Sequence, residues 1–363
     1  MNDITDALAA TVAEACDRYS DADAVAACAG GGWNSRLWTA LEQIGVTTVS
    51  VPEDRGGAGG DTAAAVAVLE VLGRYAAGVP LAETALLAGW LLAAAGAPVP
   101  PGPLTAAVAS PQLRLERDGG QWRVTGTLPR VPWARWAGHI AVLAGDQVIV
   151  LRPDDVRVTE GVNLAGEPRD DVSADGLVPD TAVFPVPAAI TAAAFGQRAA
   201  LARAALMAGA ARRALELSVA YAGEREQFGR PIGRFQAVQQ HLAAMAGEVL
   251  LARVAAGAAA CAVDASADGR GAGAGDAGAE VAVAAAKAVA GQAAGQVTAL
   301  AHQVHGAIGF TEEHPLRHST TRLWAWRDED GNEQRWSAVL GQRALEAGSS
   351  GLWPLVSGST TAG

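Results

Sequence analysis

The sequence predicts an α+β protein in which helices at both ends flank a small antiparallel β domain. Three observations support this fold class. Residues 1–103 carry apolar side chains at three- and four-residue steps, residues 104–187 form short β-branched runs, and residues 188–363 form long Ala-rich amphipathic stretches. We therefore predict an N-terminal helical domain (1–103), a middle β domain (104–187) and a C-terminal long-helix bundle (188–363).

The first domain is predicted to contain helices over "SRLWTALEQIG" and "DTAAAVAVLEVLGRYAAG". Gly78 suits the end of the second helix, with Pro80 two residues later. The stretch "VPPGP" marks the boundary to the β domain. In that domain, "LRLERDGGQWRVTG" predicts a hairpin around Asp118-Gly119-Gly120.

The last domain is predicted to hold three long helices. In "FQAVQQHLAAMAGEVLLARVAAGAA" the apolar residues alternate three- and four-residue steps, which forms one continuous stripe. "LARAALMAGAARRALELSVAYA" has the same pattern, and "AEVAVAAAKAVAGQAAGQVTALAHQVHG" predicts the third helix. A flexible connection, "DASADGRGAGAGDAG", precedes it. The abundance of Ala predicts helices that cross closely.

Charge and composition exclude several classes of function. The net charge of −11, with no basic run, argues against a nucleic-acid partner. Cys16, Cys28 and Cys261 show no paired spacing, which predicts reduced thiols in a cytoplasmic protein. The first residues lack a signal-peptide pattern, and the apolar run "ALLAGWLLAAAG" is too short to span a bilayer, so we predict no membrane span.

Two other patterns give no catalytic or cofactor assignment. "DRGGAGGD" resembles a dinucleotide-binding loop, but no second βαβ unit follows it. His302 and His305 are three residues apart, and His314 and His318 are four apart, but neither pair has a standard zinc spacing, so we predict no metal site.

The most informative stretch is "EREQFGRPIGRFQ", at the junction of two predicted helices. The guanidinium of Arg225 is suited to two phosphate oxygens, and Phe228 can pack against a ring system. Gln236 offers a donor and an acceptor. From residue chemistry alone, a helix–helix corner with an ordinary surface arginine explains the stretch equally well.

Three segments resemble the acyl-CoA dehydrogenase family: "YAGEREQFGRPIGRFQAVQQHLAAMA", "QVHGAIGFTEEHPL", and "VPEDRGGAGGDTAAAVAVLEVLGR" followed by "VPLAET". The likeness covers almost the whole chain in the family's order of helical, β and helical domains. It is greatest to short bacterial members, some of which form hetero-oligomers.

The resemblance implies an FAD-dependent enzyme that oxidises an acyl-CoA or acyl-carrier thioester to its 2,3-enoyl form and passes electrons to an acceptor. It implies that Arg225 contacts the FAD pyrophosphate, with Gln227, Phe228 and Gln236 as neighbouring contacts. It also places Gln303, Gly306 and Ala307 near the adenine half of FAD. In this family both motifs commonly reach FAD held mainly by another subunit, which implies a dimer or tetramer, possibly with a paralogous chain.

The resemblance also indicates where the catalytic base is expected. Many members place a Glu-Gly-Thr segment where this sequence has Asp330-Gly331-Asn332, so Asp330 is the candidate base and Glu333 the reserve. The alternative position, on the helix before Arg225, is Ala199. A substrate-binding arginine of that helix corresponds to Ala200, with Arg198 and Arg203 nearby.

Two further departures concern the β domain and the acidic residues. The segment that should contact the flavin ring reads "LPRVPWARWAGHIAVLAG", in which Trp133 either lies near the ring or packs in the domain. The acidic residues around Asp330 could instead only begin a helix. The sequence therefore leaves open an active dehydrogenase, a non-catalytic subunit that completes a partner's FAD site, and another acyl-thioester reaction on the same fold.

Overall fold

The structure is a computed structural model that describes residues 3–267 and 275–357. Two compact units divide the chain, one of Met1–Ala65 with Ala77–Ala199 and the other of Val66–Ala76 with Ala200–Gly363. The α-helices are α1 Asp3–Tyr19, α2 Ala22–Ala27, α3 Ser35–Ile44, α4 Thr62–Arg74, α5 Trp90–Ala94, α6 Ala192–Glu224, α7 Gln236–Ala267, α8 Gly275–His305, α9 Leu316–Asp328 and α10 Glu333–Ser357. The strands are β1 Leu104–Val108, β2 Arg114–Asp118, β3 Gln121–Pro132, β4 His139–Ala144, β5 Gln147–Leu151, β6 Val156–Thr159, β7 Arg169–Pro179, β8 Val183–Pro185, β9 Glu226–Gln227 and β10 Arg230–Pro231.

The first unit contains two four-stranded sheets. Their strand orders are β1-β4-β5-β8 and β2-β3-β7-β6. All neighbours are antiparallel except β1 and β4, which run parallel with Leu104 opposite His139. The predicted hairpin is confirmed, because β2 and β3 pair with Asp118 opposite Gln121. The predicted α+β class of helical ends around a small β region is also confirmed.

The first sheet is buried on both faces, which explains its apolar strands. Ile140 and Val142 of β4 pack with residues of β3 and β7 from the other sheet. Ala141 and Leu143, which alternate with them, pack instead with the π-helical segment Ala82–Gly89 and α5. Successive side chains of a strand point to opposite faces, so a strand between two cores is apolar at every position.

The second unit is built on close helix crossings, as the abundance of Ala predicts. A Cβ on Gly73 of α4 would lie 2.1 Å from the carbonyl oxygen of Leu206, and one on Gly209 of α6 would lie 1.9 Å from that of Glu70. The two helices therefore touch backbone to backbone at these glycines. In the same unit α8 packs against α7, α9 and α10.

The predicted end of α4 at Gly78 is wrong. The helix ends at Arg74, and Ala76 takes the left-handed conformation (φ 49°). Gly78 is instead required by close packing, since a Cβ there would lie 2.7 Å from Sγ of Cys28. The predicted flexible connection, residues 264–278, is wrong at both ends, because residues 264–267 belong to α7 and residues 275–278 to α8, while residues 268–274 lie outside the described residues. Within the described ranges, α7 alone is long and apolar enough to cross a membrane by those two criteria, which helices of globular proteins also meet.

Candidate functional site

The corner between α6 and α7 is a two-residue hairpin. Gln227 of β9 pairs with Arg230 of β10, so Phe228 and Gly229 form the turn. Both have positive φ, 53° and 77°, which is the type I′ geometry that twists with the flanking strands. Gly229 adopts this conformation freely, whereas Phe228 adopts it at a cost of about 1 kcal/mol. The sequence predicted a tight corner here but not its hairpin geometry.

The side chains of this corner point into solvent. Phe228 is 93% exposed, and its ring meets the ring of Phe235 edge-on with centroids 6.1 Å apart. The guanidinium of Arg230 lies over the ring of Phe235, 4.4 Å from its centroid. Arg225, Gln227 and Gln236 are exposed, and none of their side chains has a hydrogen-bond or ion-pair partner among residues 3–267 and 275–357.

The second motif lies at the same end of the helical unit. Tyr221, in the last turn of α6, stacks on His305, the last residue of α8, with ring centroids 4.7 Å apart. Gln303, Gly306 and Ala307 are exposed beside this contact. The structure therefore brings the C-terminal ends of α6 and α8 together, and with them the two sequence motifs.

Ala307 occupies a position where many family members have glycine. Gly306 takes a positive φ of 63°, but Ala307 is not among the described residues with positive φ and lies in the 3₁₀ turn Gly306–Phe310. The alanine is therefore accommodated without backbone strain.

The histidines of this region form an aromatic cluster. His302 stacks on Phe310 with centroids 4.2 Å apart, and His305 meets His314 edge-on at 4.8 Å. Burial lowers the pKa of His302, His305 and His314, so all three are predominantly neutral at pH 7. His318 lies in the first turn of α9, and burial with two neighbouring arginines lowers its pKa to about 4. No group of three or more possible ligands that could hold a metal is found within the described part of the chain.

Asp330, the candidate base, lies in the turn between α9 and α10. Asp330 and Gly331 both have positive φ, 56° and 94°. The carboxylate accepts from Nε of Arg203 at 3.1 Å, and the same nitrogen lies 3.2 Å from Glu329. The side chain of Arg203 is only 4% exposed. Arg203 therefore binds the acidic residues of its own chain, while Arg198 lies over the ring of Trp90 at 4.5 Å.

Glu333, the reserve candidate, begins α10 and is also paired. Nε of Arg327 donates to its carboxylate at 2.9 Å, and a second contact joins the same two side chains. The hydrogen bond from Arg327 lowers the pKa of Glu333 below its usual value. This stabilises the ionised form and weakens the carboxylate as a proton acceptor.

A buried lysine that sequence reasoning missed completes this region. Lys287 of α8 donates through Nζ to the carbonyl oxygens of Arg327 at 2.8 Å and Gly331 at 2.6 Å. A signal was present in the sequence, because Lys287 is the only lysine of the chain and stands within the Ala- and Val-rich run "VAVAAAKAVAG".

The tryptophans of the β domain are held by packing. Trp133 is 3% exposed. Trp136 stacks on Trp33 with centroids 5.9 Å apart and donates from Nε1 to the carbonyl of Gly31 at 2.8 Å. These contacts account for the "PWARW" segment without a ligand.

FAD fits the chemistry of the α6–α7 corner. A pyrophosphate needs a permanent cation with forked donors, and Arg225 is such a group with no partner in the described chain. The amides of Gln227, Gln236 and Gln303 supply further unused donors and acceptors near it.

Comparison with known proteins agrees with this chemistry. The chain matches the acyl-CoA dehydrogenase N-terminal domain over residues 2–98 and the C-terminal domain over residues 191–344. It is 30% identical to "Acyl-CoA dehydrogenase IpdE2" of Mycolicibacterium smegmatis over 324 residues, which is 87% of this chain and 91% of that one.

Two solved structures have the same fold. The ChsE4-ChsE5 complex from Mycobacterium tuberculosis superposes with a TM-score of 0.83 at 25% identity, over 95% of this chain and 98% of the other. A glutaryl-CoA dehydrogenase from Mycobacterium smegmatis, in complex with FADH2, superposes with a TM-score of 0.80 at 17% identity over 95% of each chain. The chain belongs to the acyl-CoA dehydrogenase family of flavoprotein oxidoreductases, whose cofactor is FAD.

Proposed function

We propose that this chain is one subunit of an oligomeric FAD-dependent dehydrogenase that converts an acyl-CoA thioester to its 2,3-enoyl form. A carboxylate removes the α-proton, and the β-carbon gives up a hydride. FAD, when bound, accepts that hydride and later passes the electrons to an external acceptor. The chain's part in this reaction is to bind the cofactor's phosphates and, through Asp330, to hold the α-proton.

The observation that carries the proposal is the exposed polar set at one end of the helical unit. Arg225 and Gln303 lie on segments joined by the Tyr221–His305 stack, and both face solvent. An exposed arginine with unused hydrogen-bonding amides near it is available to a phosphate and to a second subunit. We therefore propose that Arg225, Gln227, Phe228, Gln236, Gln303, Gly306 and Ala307 contact FAD across a subunit interface.

An apolar face of α7 supports assembly. Leu250, Leu251 and Val254 are 57–60% exposed on this helix. Contiguous exposed apolar residues of this kind mark contact surfaces. We propose a dimer or tetramer, and the relative in the ChsE4-ChsE5 complex favours a paralogous chain as one of its subunits. Sedimentation at micromolar concentration tests this, and a monomer with stoichiometric FAD would contradict it.

A second candidate function is favoured by the pairing of both acids. Asp330 is bonded to Arg203 and Glu333 to Arg327, so neither carboxylate is free to approach a substrate without breaking an ion pair. A chain arranged in this way can complete a partner's FAD site while the partner supplies the base. This is the non-catalytic subunit that the sequence left open.

Anaerobic flavin bleaching separates the two functions. The protein, alone and with a co-purifying partner, is mixed with a panel of acyl-CoA and acyl-carrier thioesters. If Asp330→Asn lowers the bleaching rate at least a hundredfold while Glu333→Gln leaves it unchanged, the result supports Asp330 as the base. Bleaching only with the partner present, at equal rates in both variants, supports the subunit function. No bleaching and no flavin in any assembly would contradict both. A cytoplasmic location remains a prediction that cell fractionation tests.

A further inference from the structure

Lys287 is a buried cation that the proposed reaction does not use. It is fully buried in the middle of α8, and its ammonium bridges two carbonyl oxygens of another segment. Arg327 lies in the last turn of α9, where a helix leaves carbonyl groups without partners and where a cation is favoured. Gly331 lies beyond the end of that helix. One side chain therefore ties the end of α9 to the turn that follows it.

The choice of lysine at this position has a physical reason. The chain has 27 Lys and Arg residues in total, and Lys287 is the single lysine among them. An ammonium is compact and aims three rotatable donors, whereas a guanidinium is planar and wide. Two carbonyl oxygens that converge on one point in a tightly packed helix interface suit the ammonium.

Charged groups surround Lys287. Arg203 of α6 pairs with two of the acids and Arg327 of α9 with a third. The side chain of Arg335 lies against Gly331 in the same turn. Burial lowers the pKa of Lys287 to about 8, with Arg203 acting in the same direction and the carboxylates opposing it. The carboxylates are those of Glu329, Asp330 and Glu333.

The backbone of this turn is held by hydrogen bonds from two other helices. Asp330 takes the left-handed conformation, which is uncommon for a non-glycine residue, and Gly331 follows in the same region. Trp336 donates from Nε1 to the carbonyl of Asp330 at 3.0 Å, and Lys287 donates to the carbonyl of Gly331. These two bonds hold the peptide planes on either side of Gly331, and the first of those planes begins at the Cα that carries the Asp330 side chain.

We propose that Lys287 is a positioning residue that holds the Asp330-Gly331 turn in its left-handed form and so sets the direction of the Asp330 carboxylate. Its consequence for catalysis rests on the proposed function, in which Asp330 is the base. The restraint on the turn itself does not depend on that function.

Hydrogen exchange tests the restraint directly. Lys287→Met removes the ammonium and keeps an unbranched apolar side chain in its place. In the full chain in its native assembly, we expect amide exchange over residues 328–336 to accelerate about 10- to 100-fold, because two charge-assisted bonds are lost. Val297→Ala, at another buried position of α8, is the matched control and leaves this segment at the parent rate. Exchange in Lys287→Met equal to that of the parent overturns the proposal.

A second variant covers the case in which Lys287→Met does not fold. Lys287→Gln retains two N–H donors without the charge. We expect it to keep part of the protection over residues 328–336. Its exchange rate should be faster than that of the parent and slower than that of Lys287→Met or, if that variant does not fold, of an unfolded chain. A fully folded Lys287→Gln whose turn exchanges as fast as exposed loops would overturn the role of donation.

Flavin bleaching then separates positioning from catalysis. In the flavin-loaded assembly we expect Lys287→Met to slow bleaching about a hundredfold, with acyl-CoA affinity unchanged, since a 1 Å misplacement has that effect. A loosened turn with parent-rate bleaching supports positioning and removes Asp330 from the proposed function. A turn at the parent exchange rate with slowed bleaching overturns positioning.

Discussion

The α6–α7 corner (residues 225–236) and the acid turn (residues 328–333) are both rich in charge, and they arrange it in opposite ways. At the corner, Arg225 is exposed and has no partner within the described chain. At the acid turn, Asp330 and Glu333 are each bonded to an arginine, and Lys287 supports the backbone between them. Lys287 and His305 lie 18 residues apart on α8, about 27 Å along the axis, so the two regions stand at different levels of the helical unit.

The difference shows which electrostatic interactions each region has already made within the chain. A permanent cation beside unpaired amides has its interactions still to make, so a ligand or another subunit gains free energy by docking there. A set of paired charges has already made its interactions, and any function that needs a free carboxylate must first break an ion pair. We therefore propose the corner as the place where a cofactor or another subunit docks, whereas the charges of the acid turn are already paired within the chain.

The largest expected effect is at the corner. Arg225→Ala should weaken FAD binding in the assembled protein by about 2–5 kcal/mol, because the phosphate charge would be left unpaired in a desolvated interface. The free energy of unfolding of the chain should hardly change, since the side chain is exposed. Flavin content and affinity measured after gel filtration check this.

Arg213→Ala is the matched control for the loss of an arginine. It lies on the exposed surface of α6, with only a long contact of 3.8 Å to Glu216. We expect it to retain FAD at the parent affinity. Equal FAD affinity in Arg225→Ala and the parent would contradict the assignment of the corner.

The next largest effect is the pH dependence caused by Lys287. Its pKa is about 8 in the folded protein and 10.5 as an ordinary side chain, so between these values the unfolded chain binds more protons. The free energy of unfolding should therefore rise with pH over that window, by about 3 kcal/mol, as the cost of burying the charge is relieved. Below about pH 8 the cost is present in full.

Lys287 can be observed without interference from other lysines. Protein labelled with [ε-13C]lysine gives one side-chain signal, whose titration midpoint should lie near pH 8. Urea unfolding of Lys287→Met should lack the part of the pH slope that Lys287 contributes. A midpoint near 10.5 would show that the cost of burying the ammonium is fully offset, and the predicted rise in the free energy of unfolding between pH 8 and 10.5 would then be absent.

How far the sequence predicted these regions depends on the range of the interactions involved. The order of helices and strands, the hairpin at Asp118-Gly119-Gly120, and the ends of α6 and α7 around Arg225 follow from local periodicity and turn residues. The type I′ turn at Phe228 was not predicted, because a phenylalanine at positive φ contradicts its local preference.

The acid turn was the least predictable part. Its partners come from α6, α8 and α9, so Arg203 and Lys287 meet Asp330 only after the helices have packed. Sequence register placed Asp330, but it could not show that Arg203 binds it. The end of α4 was mispredicted at Gly78 for a similar reason, since that glycine serves a contact with Cys28 from another segment.

A smaller effect is expected at Glu333. Its ion pair with Arg327 lowers its pKa, so the stabilisation is present above the ordinary carboxylate pKa and is lost as pH falls through the lower, folded value. Glu333→Gln should reduce the free energy of unfolding by about 1 kcal/mol at pH 7 and by less at pH 3. Urea titrations at the two pH values measure this. An equal loss at both would show that the side chain contributes by packing and not by charge.

The smallest effect on the chain, and the sharpest test of the comparison, is at Phe228. The ring is 93% exposed and its backbone is left-handed, so Phe228→Gly should relieve strain and leave the free energy of unfolding unchanged or higher by up to about 1 kcal/mol. The neighbouring Gly229→Ala should have the opposite sign, because alanine is disfavoured at φ 77°. If the corner exists to contact FAD or another subunit, Phe228→Gly should still weaken flavin retention or assembly. The aromatic side chain would then be maintained, with its strained backbone, at the expense of the chain's own stability. Sedimentation and flavin content of Phe228→Gly decide between these outcomes: a variant that is more stable, fully assembled and fully loaded with flavin would mean that the corner is only a helix connection.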